Sequence, residues 1–121
     1  MIINFEDYTH ELSEKECKAV PRVIQGIVRC VGEKNAVKAS QMSAKLAKDG
    51  YGNITGPRIR KIMNFIRSEG IIRNIVATSK GYFIATKQEE LDSYRESVEQ
   101  RAKAMLRLLN GIDLKIQSEE S

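Results

Sequence analysis

The chain has 121 residues, 41% hydrophobic and 30% charged, with a formal net charge of +4, enough for one hydrophobic core and too few residues for two. No apolar run approaches the length that crosses a bilayer, and the opening Met1-Ile2-Ile3-Asn4-Phe5-Glu6-Asp7 lacks the basic-then-apolar order of a secretory leader, so a membrane partner is excluded and a cytoplasmic location is expected. Cys17 and Cys30 are too few for a disulfide framework, and on one helix their spacing turns them about 220° apart, so both are expected reduced and buried.

Catalytic and metal chemistry have no visible basis. His10 is the only histidine and stands at no metal-ligand spacing from either cysteine. The acid pairs Glu89-Glu90 and Glu119-Glu120 are adjacent in sequence, which gives no facing geometry for acid–base work. The expectation is a protein that is not an enzyme and takes no cofactor.

In chain order, residues 1–13 form an N-terminal extension whose apolar members are Phe5, Tyr8 and Leu12, and the pattern does not choose between a strand and a short helix. Ser13-Glu14-Lys15-Glu16 has the form of a capping box and opens a helix. Val20, Val23, Ile24, Ile27, Val28 and Val31 follow at intervals of three and four, which marks the core helix, ended by Gly32. Pro21 removes the donor for the Cys17 carbonyl, so a kink or two consecutive helices are expected. Gly26 costs that helix about 1 kcal/mol against alanine, which points to close packing or to a tolerated glycine. Residues 36–39 suit a short strand, and Ser40 suits the cap of a helix reaching Asp49 with Leu46 and Ala47 turned inward. Residues 49–53 then make a turn.

The segment Ile54-Thr55-Gly56-Pro57-Arg58-Ile59-Arg60-Lys61-Ile62-Met63-Asn64-Phe65-Ile66-Arg67-Ser68-Glu69-Gly70 threads an apolar stripe through a basic helix. On a helical wheel Ile62, Met63 and Ile66 lie within about 60° of Ile59. Lys61, Asn64, Ser68 and Pro57 fall opposite and Arg60 and Arg67 on one flank, so charge reversal at Lys61 and Arg60 is expected to spare stability. Thr55 suits the N-cap, Pro57 the first turn and Gly70 the left-handed C-terminal position. The β-branched and aromatic runs 71–77 and 82–86, separated by Thr78-Ser79-Lys80-Gly81, then form a hairpin. Along its second strand Phe83 is expected in the core and Tyr82 on the outside.

Charge is unevenly placed. Residues 55–87 carry a net +6, residues 1–54 a net +1 and residues 88–121 a net −3, so the positive excess sits on one helix and its hairpin. The order helix, strand, helix, turn, basic helix, hairpin resembles the winged helix–turn–helix superfamily over roughly residues 20–87, within an expected domain of residues 14–87. More narrowly, residues 54–62, Ala77-Thr78-Ser79-Lys80-Gly81-Tyr82-Phe83-Ile84-Ala85-Thr86 and Gln88-Glu89-Glu90-Leu91 resemble small winged-helix proteins of phage and prophage regions. The resemblance implies a mainly α fold with a small β-hairpin (α+β). It also implies duplex DNA as partner, in a transcriptional or replication regulator. On that fold, Asn64 suits adenine and Arg60 or Lys61 suits guanine in the major groove. Lys38 and Ser40 at the preceding helix, Thr55, Arg58 and Arg67 beside the groove, and Ser79 and Lys80 at the wing tip suit the backbone or the minor groove. Arg58 is also placed to pair with an acid of the last helix. Phe65, on the same flank, suits packing against that helix.

Residues 88–112 form that helix. Leu91, Val98, Met105 and Ile112 repeat at seven, Tyr94, Arg101 and Leu108 occupy a second register, and Ala102 and Leu109 thicken the seam. Three heptads are marginal for a coiled coil and Arg101 in the seam opposes one. The stripe therefore serves docking on the chain's own core or a homodimer through Leu91, Tyr94, Val98, Met105 and Leu108. Residues 113–121 read as a flexible tail. The competing function is a protein–protein interaction module on the same scaffold without nucleic acid.

Overall fold

The computed structural model describes residues 11–120, with side chains through residue 112; the expectations for Phe5, Tyr8 and His10 lie outside the described residues. The order is α1 (Glu14–Ile27), a single 3-10 turn (Glu33–Asn35), α2 (Ala39–Lys48), α3 (Gly56–Ser68), β1 (Ile75–Thr78), β2 (Gly81–Ile84) and α4 (Gln88–Glu120). The protein is thus mainly helical with one small antiparallel hairpin. Two units divide at residues 86 and 87, and α4 makes up the described part of the second.

In the first unit, α1 starts as its sequence dictates. The Glu16 N–H donates to Ser13 Oγ at 3.2 Å and the Ser13 N–H donates to Glu16 Oε1 at 2.7 Å, a reciprocal capping box. The helix passes through Pro21 without a break. Pro21 and Cys17 both lie on the exposed side, so the carbonyl deprived of its donor belongs to the solvent-facing side of the helix, where an unpaired acceptor is least costly. Ala19, Val23 and Ile27 are buried, whereas Val28 and Val31, expected in the same stripe, are 48% and 45% exposed. The helix ends at Ile27, ahead of Gly32, because the hairpin claims the backbone that follows. The Ile84 N–H donates to the Cys30 carbonyl at 2.7 Å and the Gly32 N–H to the Ile84 carbonyl at 2.9 Å.

Only Val37 of the expected strand 36–39 pairs, through a two-way bridge with Tyr82. The next residue already caps a helix: the Lys38 N–H donates to Gln41 Oε1 at 2.8 Å. Lys38, and not Ser40, is therefore the N-cap of α2, and Ser40 sits inside the first turn. Met42 and Leu46 face the core, while Ala47 is exposed rather than inward. In α3, Ile59, Ile62, Met63 and Ile66 are fully buried, each worth about 1.5–3 kcal/mol against exposure. The Gly70 N–H donates to the Arg67 carbonyl at 3.2 Å and the Ile71 N–H to the Ile66 carbonyl at 3.1 Å, with Gly70 at φ +67°. This Schellman closure uses the Ile71 amide, and β1 begins only after Asn74, whose φ of 69° breaks the strand although its carbonyl still accepts the Ala85 N–H at 2.9 Å, so residues 71–74 do not form strand as expected.

The hairpin pairs Ile75 with Ile84, Val76 with Phe83, Ala77 with Tyr82 and Thr78 with Gly81. Tyr82 is buried, against the expectation that it lies outside, and so is Phe83. The alternating faces of β2 are therefore both covered. The core cluster joins Ala19, Val23 and Ile27 to Met42, Leu46, Ile54, the α3 stripe, Ile75 and Tyr82. Phe65 packs on this cluster, partly buried. A groove lined by Val23, Gly26, Ile27, Met42 and Leu46 opens between α1 and α2. A Cβ on Gly26 would meet only Arg22 Nη1, at 3.6 Å, so close packing does not account for this glycine. In the second unit α4 runs through Gly111 to Glu120, past the boundary at 112 and through the expected tail. One interior glycine costs only about 1 kcal/mol.

Gly81 is constrained twice: its φ is +119°, and a Cβ there would lie 2.4 Å from the Val37 carbonyl oxygen. Gly81→Ala is expected to destabilise the fold by about 2–4 kcal/mol. Thermal unfolding should show a fall of roughly 10 °C or more; an unchanged midpoint would refute the close approach.

Candidate nucleic-acid interface

Glu16 is the one charged side chain among the described residues that is buried, at 1% exposure. Its position follows from helix periodicity: it precedes Ala19, Val23 and Ile27 by three, seven and eleven residues and shares their face. Lys61 Nζ lies 2.8 Å from Glu16 Oε1, with a side chain only 12% exposed, and Arg58 Nε lies 3.9 Å from Oε2. Lys61 was expected to point outward toward guanine. It instead turns along the flank of α3 toward α1, because the buried carboxylate requires a countercharge. Arg58 likewise faces Glu16, while remaining 41% exposed. Burial alone would raise the Glu16 pKa; the hydrogen bond from Lys61, the Ser13 backbone and hydroxyl bonds and the Lys61 charge outweigh it and hold it below the ordinary value.

Of the remaining expected site residues, Lys38 and Arg67, the latter with its partner Asn64, lie around Tyr82. The Tyr82 N–H donates to the Val37 carbonyl at 2.8 Å and the Val37 N–H to the Tyr82 carbonyl at 2.9 Å, which brings Lys38 at the start of α2 beside β2. On the other side the Arg67 guanidinium stands 5.6 Å from the centre of the Tyr82 ring, a cation–π contact. Arg67 also donates to Asn64 Oδ1, so the amide oxygen expected to meet adenine is engaged within α3. Arg60, Asn64 and Arg67 are half-buried; Lys38, Ser40, Thr55, Ser79 and Lys80 are exposed. Thr55 occupies the N-cap position of α3 but its side chain makes no capping bond. Lys80 Nζ, in the hairpin turn, pairs with Glu33 Oε1 of the 3-10 turn between α1 and α2 at 2.9 Å, with 66% and 48% of the two side chains exposed.

The structure thus brings Lys38, Arg67 and the hairpin turn together around Tyr82, and takes Lys61 and Arg58 to a separate ionic cluster at α1. The role of Tyr82 was missed because strand alternation alone cannot show that both hairpin faces are covered. The role of Glu16 was hidden by its capping box, although its spacing to Ala19, Val23 and Ile27 was a readable signal.

Of the cysteines, Cys17 is exposed and not buried as expected, one position off the inward face of α1; Cys30 is half-buried, and burial raises its thiol pKa against the opposing charge of Lys45. Among the described residues no group of three or more His, Cys, Asp or Glu side chains is placed to hold a metal ion, and no helix is long and apolar enough to cross a membrane. On α4, Val98 and Leu108 are 41% and 44% exposed, while Leu91, Tyr94 and Met105 are half-buried.

Removing one partner of a buried pair leaves the other charge uncompensated, so Lys61→Met is expected to cost about 3–5 kcal/mol. Lys61→Glu, which sets two carboxylates together, should cost at least as much, contrary to the expectation from the sequence. Since the folded Glu16 carboxyl titrates below its ordinary 4.5, its contribution is complete above that pH and lost as pH falls through the folded value. Glu16→Gln should remove this part of the acid limb in urea titrations run across pH; an unaltered limb would show that Glu16 does not set it. Comparison with protein-family models, with curated proteins and with solved structures gives no match for this chain.

Proposed function

We propose that residues 14–86 form a winged helix–turn–helix that binds duplex DNA, with α3 as the groove-facing helix and the β1–β2 hairpin as the wing. The observation that carries this reading is the convergence at Tyr82, where the Val37 bridge and the Arg67 contact set cationic residues of α2 and α3 beside the hairpin. The net +6 on residues 55–87 supplies the attraction to a polyanion. The groups suited to phosphate are Lys38, Ser40, Thr55, Ser79 and Lys80, all exposed. Arg60, Asn64 and Arg67 make up the flank assigned to the bases, where the existing contacts of Arg67 with Asn64 and Tyr82 would have to give way or be shared. Lys61 and Arg58 hold the scaffold. A phage-type regulator of transcription or replication is the role that the sequence resemblance adds.

A second reading has a specific observation behind it. Lys61 and Lys80 are both neutralised within the fold and the outer flank of α3 is half-buried, which favours a protein-interaction module.

Salt dependence separates the two. With about four phosphates neutralised, raising salt from about 50 to 200 mM should weaken binding to mixed-sequence duplex roughly 150-fold, as read by fluorescence anisotropy. Lys38→Glu combined with Lys80→Glu should weaken it further and flatten the salt slope while leaving the thermal midpoint within a few degrees. Absence of duplex binding at the lower salt, or binding indifferent to salt and to these substitutions, would overturn the DNA reading.

A further inference from the structure

We propose that α4 pairs antiparallel with the α4 of a second copy of this chain. The inference concerns the second unit alone and stands whether or not the first unit binds DNA.

Between Arg95 and Ile112, the residues Val98, Ala102, Met105, Leu109 and Ile112 are spaced alternately by four and three, all within about 40° of Val98 on the wheel. Val98, Leu109 and Ile112 are 41%, 53% and 39% exposed. In this register no charged residue interrupts the seam. Arg101, which opposed a coiled coil when placed inside it, falls on its border and donates from Nε to the Ser97 carbonyl at 3.4 Å. Arg95 marks the N-terminal limit of the stripe and pairs with Glu99 one turn on, at 3.2 Å.

Two features select the occupant and its direction. Residues 88–101 carry a net −3, whereas residues 102–112 carry +2 with no acid. An antiparallel partner lays the acidic half of one helix beside the basic half of the other, and a parallel one sets like against like. Side-chain volume points the same way. Antiparallel packing about the midpoint of residues 103 and 104 sets Ala102 against Met105 of the second copy and Val98 against Leu109, small against large. Parallel packing would oppose Ala102 to Ala102 and leave a gap, and would oppose Arg95 to Arg95.

The test uses the full chain. Sedimentation at about 100 µM is expected to give twice the chain mass of 13.7 kDa, and Met105→Glu with Leu109→Glu to give the single mass with the acid-limb stability of the first unit retained. A spin label at Gln88→Cys, with Cys17→Ser and Cys30→Ala to clear the native thiols, should report a separation of about 45 Å between copies, from 1.5 Å of rise per residue. A parallel pair would place the labels within roughly 20 Å, given helix axes about 10 Å apart. A single mass for the unmodified chain, a dimer that survives the double substitution, or the short distance would each overturn the proposal.

Discussion

The first unit depends on a buried carboxylate. Glu16 caps the first turn of α1 through Ser13 and, with its second function, draws Lys61 off the outer surface of α3. Apolar packing between α1 and α3 is tolerant of sliding, since one isoleucine fills a gap much as another does. A buried ion pair is not tolerant: it is satisfied in one relative placement and costly in all others. The pair therefore fixes which flank of α3 meets α1.

The hairpin is positioned by a different means. Two four-residue strands are marginal on their own. Here both ends of β2 are tied by main-chain bonds to the segment between α1 and α2: Tyr82 to Val37, and Ile84 to Cys30 and Gly32. Because these are backbone bonds, the orientation of the turn carrying Ser79 and Lys80 does not depend on which side chains the turn carries. Gly81 permits this closeness, and a side chain there would collide with the Val37 carbonyl. The proposed wing is free to vary chemically while its scaffold stays constant.

Much of this was legible beforehand, for reasons that can be named. The α3 stripe, the Ser13 capping box and the left-handed Gly70 are local patterns, and local patterns survive folding when tertiary contacts agree with them. What misled were residues whose partners lie far off in sequence. A wheel places Lys61 opposite the core, but a long side chain swings, and only the distant Glu16 decides its direction. Val28 and Val31 continue a helical period that the chain abandons because Ile84 needs hydrogen-bond partners. Tyr82 alternates correctly with Phe83, yet alternation cannot tell a half-covered hairpin from one covered on both faces. Ser40 looks a better cap than Lys38, but the Val37 bridge fixes where the helix starts, and the Gln41 side chain accepts the Lys38 N–H. On α4, the repeat at seven was visible, while the choice between the borders on which Arg101 and Ala102 lie was not.

Lys61 and Lys80 are each within 3 Å of a glutamate, yet they are not equivalent. The first sits almost out of solvent, 12% exposed, against a carboxylate that is 1% exposed. The second is tethered in water, where such a contact is worth less than about 1 kcal/mol and side chains rotate in picoseconds to nanoseconds. The exposed contact with Glu33 thus opens at small cost, so the Lys80 ammonium at the hairpin turn exchanges readily between that carboxylate and solvent.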